Sequence, residues 1–224
     1  MVVKDCFINV HSHFLRPSSS THINVYNHFI QDPVVPAKDM LFSVGLHPWH
    51  LNLFSKKILK EKLLEIGATK HCCFIGETGL DKLRGGLIEE QKEIFLIHID
   101  VAEELKKPLI IHNVKCSDIL IDIKKKYKPQ QPWIFHGFNQ KKSVANELIK
   151  QNCWLSFGRA LFNKQSPAYD SFFFVSEERW LLETDDESEI SIEEIYARAG
   201  EIKKISVEKI IEISNKNFNS LFKI

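Results

Sequence analysis

The sequence lacks most of the features that would assign a function at a glance. It has no surplus of charge: 30 Lys and Arg face 29 Asp and Glu, leaving a net +1. That excludes a global basic footprint for nucleic acid and leaves only a local basic rim open. No apolar run approaches the roughly 20 residues of a membrane span. The first residues, MVVKDCFINV, have neither the basic start nor the cleavage site of a secretory leader. No membrane association is therefore expected, and a cytoplasmic location is. There is no CxxC. The 5 cysteines are an odd number, with Cys72 and Cys73 adjacent. This argues against a thiolate zinc knuckle and for buried free thiols in a reducing compartment. No glycine-rich dinucleotide or P-loop pattern occurs, so no nucleotide-phosphate loop is indicated. No Ser-His-Asp arrangement stands out either. Linkers, repeats and low-complexity stretches are missing too, and residues 1–224 read as one domain.

What is present is a 44% hydrophobic chain in which short apolar runs alternate with helical stretches. Strands are expected at 6–11, 22–29, 40–47, 72–77, 108–112, 132–136, 153–158 and 179–185. Helices are expected at 56–68, 87–106, 116–127, 140–151, 191–204 and 206–221, while 166–176 fits either helix or loop. Most of the strands are continuously apolar rather than alternating. That is the signature of a parallel sheet covered on both faces. The alternation of strand and helix gives an α/β fold, and eight strands give a compact (β/α)8 TIM-type barrel. A doubly wound open sheet is the alternative. Only ten or so residues separate the first strand from the second, and the second from the third. Neither gap holds a crossover helix of ordinary length, so the first quarter of the barrel should be trimmed or irregular.

The polar residues fall where such a barrel does its chemistry, the C-terminal rim of the strands. FINVHSHF sets His11 and His13 two positions apart, so the period of a strand points both rings the same way. Strand three ends at His47, four at Glu77, five at His112, six at His136 and eight at Asp185. Neutral imidazoles with carboxylates suit zinc, manganese, nickel or iron rather than calcium. Two metals need an anion between them, which an imidazole is not. Glu77, between Gly76 and Thr78-Gly79, is the bridging candidate, with the glycines allowing a close backbone approach to the metals. Asp185 can both touch a metal and take a proton from water. His13, His47 and Asp81 would crowd the same opening. Lys82, Arg84 and Lys115 follow rim positions and are candidate phosphate contacts, with His47 as a further substrate contact. Blander readings attach to other residues. His98 on the apolar face of the longest helix and FFFV at 172–175 read as core, and KKKYK at 124–128 as a solvated helix end. His22, His28, His50 and His71 read as surface or structural. Trp49 could pack a lid or stack on a base.

NVHSH, GLHP, IGETGLD, PLIIH, IFHGF, LSFG and LLETD, in this order, make the chain resemble the TatD-type metal-dependent hydrolases, a group of amidohydrolase-like barrels. The resemblance runs from about residue 5 to 186, and IEISNKNF in the helical tail is similar as well. It implies two divalent metal ions (Zn, Mg, Mn or Ni). One would be held by His11, His13 and Asp185, the other by His112 and His136, with Glu77 shared. It also implies phosphodiester hydrolysis of DNA, often as a 3′-to-5′ exonuclease. Some members are D-aminoacyl-tRNA deacylases, so an ester or amide hydrolase is the alternative, and a non-catalytic metal or nucleic-acid binding module the third reading. Asn9 stands where the family usually has Asp. HNVK at 112–115, HGF at 136–138 and DESEIS at 186–191 also depart from the usual pattern. The implied ligands survive these departures; the loops that would touch substrate do not.

Overall fold

A computed structural model of the chain describes residues 5–33, 36–37 and 40–222. Eight strands hydrogen-bond in sequence order into one parallel sheet. They are β1 (Phe7–Ser12), β2 (His22–Phe29), β3 (Leu41–Gly45), β4 (Cys72–Asp81), β5 (Leu109–Val114), β6 (Trp133–Phe135), β7 (Trp154–Phe157) and β8 (Trp180–Leu182). The sheet curls into a barrel. Its seam closes at the rim, where the Asp185 amide donates to the His11 carbonyl and the His13 amide donates to the Asp185 carbonyl, each at 3.0 Å. The side chain of Asn9 crosses the same seam. Its Nδ2 donates to Thr184 Oγ1 at 2.8 Å, and its Oδ1 accepts the Thr184 amide at 3.0 Å. Asn9 therefore ties β1 to β8.

Helices α1 (Lys56–Gly67), α2 (Ile88–Leu105), α3 (Ser117–Tyr127), α4 (Lys142–Lys150) and α5 (Pro167–Phe174) lie between successive strands from β3 onward. Helices α6 (Ile192–Lys203) and α7 (Val207–Ser220) follow β8. No helix is assigned among the described residues between β1 and β3, as the short spacing required. Without a helix over it, β2 alternates buried and half-exposed residues, whereas β4 is buried throughout. No helix among the described residues is long and apolar enough to cross a membrane.

The larger core cluster fills the space between sheet and helices, and a smaller one holds Val25, Phe74, Ile110, Ile134, Trp154 and Leu181. Val25, Ile110, Ile134 and Leu181 stand two positions before Asn27, His112, His136 and Glu183. By the period of a strand, each apolar plug shares its face with a polar residue nearer the rim. The apolar filling thus serves as a floor for the polar mouth. Helix α7 is pinned below. Asn215 accepts the Cys6 amide at 3.2 Å and donates to the Cys6 carbonyl at 2.7 Å, while Asn217 donates to the Trp180 carbonyl at 2.8 Å. Those contacts explain the asparagines of IEISNKNF as barrel fastenings.

Several expectations need correction. The strand at 72–77 continues to Asp81, so Glu77 sits within β4 rather than at its end. The ambiguous stretch is helical, and its start is capped by Ser166, whose hydroxyl accepts the Tyr169 amide. Phe172 and Val175 are core, but Phe173 and Phe174 are 45% and 56% exposed, because only one side of this short helix faces the sheet. Lys124 is not solvated: it is buried with its ammonium 4.7 Å over the Trp133 ring and donates to the Gln131 carbonyl. His28, read as surface or structural, is buried, which decides for the structural reading.

Candidate metal centre

Glu77 is the hub. Its side chain is 2% exposed, and its two oxygens face two different sets of imidazoles. Oε1 lies 2.8 Å from His136 Nε2, 2.9 Å from His112 Nδ1 and 3.1 Å from His47 Nε2. Oε2 lies 3.6 Å from both His11 Nε2 and His13 Nε2. Those two rings also reach Asp185 Oδ1, at 3.4 and 3.2 Å. The structure therefore brings His11, His13, His47, Glu77, His112, His136 and Asp185 into one mouth from β1, the β3 loop, β4, β5 and the ends of β6 and β8.

The sequence did not single out Asn27, which holds Glu77 still. Its Oδ1 accepts the Glu77 amide at 3.0 Å and the Ser43 hydroxyl at 3.2 Å, and its Nδ2 donates to Glu77 Oε2 at 3.2 Å. The signal was available in the alternation of HINVYNHF, which puts Asn27 on the face of Val25. Glu183 was missed as well. It is fully buried, accepts the Gly137 amide, and lies 3.7 Å from His136 Nδ1.

The glycines around Glu77 serve the sheet rather than the metals. Gly76 and Gly79 have φ of +131° and +148°, and a Cβ on either would strike the backbone of β5, at Ile110 and His112. They let two strands approach closely where β4 changes register, between Ile75 and Thr78.

Electrostatics agree with a ring of donors around a fixed charge. Burial works against the ionised form of Glu77. The charge of His136 and the close approach of the His112, His136 and His47 rings to its oxygens overcome it and hold the carboxyl well below the usual carboxylate range. Burial likewise disfavours ionised Asp185, yet the close approach of the His11 and His13 rings keeps it low. His136 is pushed well above an ordinary imidazole: burial lowers it, and Glu77, Glu183 and Asp185 more than reverse this. His13 is raised by Asp185 and Glu77 against its burial, whereas burial leaves His47 below the ordinary value.

The donor set fits divalent cations. Both ring nitrogens of His11 and of His136 are buried without a hydrogen-bond partner, although carboxylate oxygens stand nearby. Such orphaned nitrogens are rare inside proteins unless another acceptor of their lone pairs is intended. Donor atoms of His11, His13 and Asp185 lie within 4.8 Å of one another, as do those of His11, Glu77 and His136 and those of His47, Glu77 and His112. Imidazole and carboxylate together are what zinc and its neighbours take. His47, expected to touch substrate, sits inside the donor cluster, grouped with Glu77 and His112.

The expected phosphate contacts are not gathered there. Lys82 turns to Asp118, 3.4 Å away on the surface. Arg84 stacks 4.7 Å over the Trp49 ring, and Trp49 in turn donates its indole N–H to Asp81. Lys115 lines a smaller recess with Asn113 and His136. A cavity of about 700 Å³ opens beside Asp185, lined by Gly137, Asn139, Arg159, Asn163, Glu187 and Glu189 among others. Arg159 was not foreseen; it follows Gly158 and pairs with Glu187 at 3.5 Å.

With this geometry, comparison with known proteins is decisive. The TatD-related DNase family model matches residues 34–223. The chain belongs to that family. The match begins beyond β1, so the His11–His13 pair joins the site on structural grounds. Over 216 residues the chain is 26% identical to the uncharacterized metal-dependent hydrolase YcfH of Escherichia coli K12, covering 87% of this chain and 78% of that protein. It is 29% identical over 175 residues to YabD of Bacillus subtilis, also named an uncharacterized metal-dependent hydrolase, covering 71% and 69%. The crystal structure of the Escherichia coli TatD homologue YjjV superposes with a TM-score of 0.82 at 18% identity, covering 99% of this chain and 100% of that one. The TatD barrel is thus the fold of this chain.

Proposed function

We propose that the chain is a divalent-metal-dependent hydrolase of phosphodiester bonds, with DNA as the substrate. The observation that carries this is the buried Glu77 carboxylate, set between the His11–His13–Asp185 group and the His47–His112–His136 group. His11, His13 and Asp185 would hold one cation, His112 and His136 a second, and Glu77 would be shared. Bound cations supply Lewis-acid activation of water and neutralise charge on a scissile ester. The chain supplies the rest. Glu77 contributes the fixed negative charge between the two groups, and Asn27 keeps it from turning. Asp185 engages His11 and His13 through Oδ1 and lines the cavity at 30% side-chain exposure, which leaves Oδ2 to accept a proton. The family membership and the names of YcfH and YabD support metal-dependent hydrolysis.

The test is digestion of a single-stranded oligonucleotide with Mg²⁺, Mn²⁺ or Zn²⁺ against a chelated control. Metal-dependent release of nucleotides is expected. Intact oligonucleotide under every metal, with an ester substrate turned over in the same preparation, would move the assignment to the second reading. That reading, an ester or amide hydrolase acting on a substrate such as D-aminoacyl-tRNA, is favoured by one observation. The cavity beside Asp185 carries Glu187 and Glu189, and its arginine is already paired. Such a wall suits a cationic amine better than a second phosphate.

A further inference from the structure

His112 is held from both ends. Its Nδ1 lies 2.9 Å from Glu77 Oε1, inside the donor ring, and its Nε2 lies 3.2 Å from Asp81 Oδ2, behind the ring. Asp81 is 2% exposed and has no freedom to turn. Its Oδ1 accepts the amides of Leu83 at 2.7 Å and Arg84 at 3.1 Å, and its Oδ2 accepts the Trp49 indole N–H at 2.8 Å. Ionised carboxylates only accept hydrogen bonds, so both nitrogens face acceptors, and a neutral imidazole can serve only one of them with its hydrogen. A neutral imidazole has one N–H and one lone pair. With a cation beside Glu77 to take the Nδ1 lone pair, the hydrogen belongs on Nε2, and Asp81 is the acceptor placed to hold it there.

We propose that Asp81 is a positioning residue for the His112 side of the centre: it fixes the Nε2–H tautomer and so makes Nδ1 a cation donor. This rests on the metal-centre reading above. Neither His11 nor His136 has equal support. His11 Nδ1 is buried with no hydrogen-bond partner, and Glu183 stands 3.7 Å from His136 Nδ1, beyond hydrogen-bond reach. The influence of Asp81 is therefore confined to one of the two cation positions. The loop after β3 extends that influence outward, since its Trp49, half exposed at the rim, helps to set the carboxylate that sets the ligand.

Asp81→Asn tests this with little change of shape. The amide oxygen keeps the Leu83 and Arg84 amides, and the NH₂ then faces His112 and the Trp49 indole N–H, which loses its acceptor. That arrangement favours a bare Nε2 and drives the hydrogen to Nδ1, the donor position. Chelated full-length protein is titrated with Zn²⁺ alone against a chromophoric competitor, for wild type, D81N, D81E and D185N. Wild type should bind two equivalents. D81N should weaken one of them by roughly 10- to 100-fold and leave the other unchanged, the range seen when a residue supporting a metal ligand is lost. D81E should recover part of the loss. D185N should weaken the opposite equivalent, showing that the two positions are resolved. Imidazole ¹⁵N spectra of the zinc-loaded protein should show His112 bound through Nδ1 with hydrogen on Nε2. Two equivalents of wild-type affinity in D81N would overturn the proposal while leaving the centre standing; a wild type that binds no zinc would overturn both. Should D81N not fold, W49F removes one donor to Oδ2 and should weaken the same equivalent by a smaller factor. An unchanged W49F titration would then count as refutation.

Discussion

His98 should make the protein acid-sensitive well above the range where carboxylates titrate. The residue is fully buried on α2, with both ring nitrogens engaged. Nε2 accepts the Leu46 amide at 3.0 Å, so Nδ1 carries the hydrogen and donates to the Ile94 carbonyl at 2.8 Å. The ring is thus locked neutral, and burial lowers its pKa from 6.5 to about 4. The sign follows from linkage. The unfolded chain takes up a proton as pH falls through 6.5, while the folded chain refuses it until about 4. Stability contributed above pH 6.5 is therefore lost progressively down to pH 4, by about 3 kcal/mol at 1.36 kcal/mol per pKa unit. Against a typical total of about 5–15 kcal/mol this is a large fraction. Urea unfolding of chelated wild type and His98→Gln across pH 4–8 measures it. At neutral pH the variant should be less stable by about 1–3 kcal/mol for the altered hydrogen bonds. Its curve should then fall less steeply below pH 6.5, narrowing or reversing the gap. Parallel curves would refute the reasoning.

Asp185→Asn should lower metal-dependent turnover by roughly 10²- to 10⁴-fold, the span of a lost general base, read by oligonucleotide or ester hydrolysis. Gly79→Ala forces φ of +148° on a residue with a side chain and drives its Cβ into the His112 carbonyl. It should cost at least about 1–3 kcal/mol, seen as a lower Tm, with weaker zinc binding because β4 and β5 carry Glu77 and His112. Asn27→Ala should keep the fold but weaken zinc binding by roughly 10- to 100-fold, since Glu77 loses its clamp; an unchanged titration would show that the imidazoles alone orient it. Phe174→Ser, at a 56% exposed position, should leave Tm nearly unchanged.

The barrel was legible because its strands are apolar without interruption and its helices amphipathic, and the trimmed first quarter was legible from spacing alone. The clustering of the candidate ligands was legible because strand period and rim position put a few titratable residues on one mouth. What stayed hidden depends on contacts that residue types do not announce. Asn27 reads as one more strand residue until its amide is seen spanning Glu77 and Ser43. Gly76 and Gly79 read as metal-approach glycines, but the adjacent strand is what needs the room. His47 and Lys82 both follow strands. One points into the donor ring and the other to Asp118, because a loop's direction is set by tertiary packing rather than by its sequence position.

The central claim, that Glu77 joins two cation positions in one buried centre, is tested most directly by elemental analysis of purified wild type beside Glu77→Ala. Two equivalents of divalent metal per chain in wild type, falling to one or none in the variant, is the result expected. Equal metal content in both proteins, or none in wild type after loading, would contradict it.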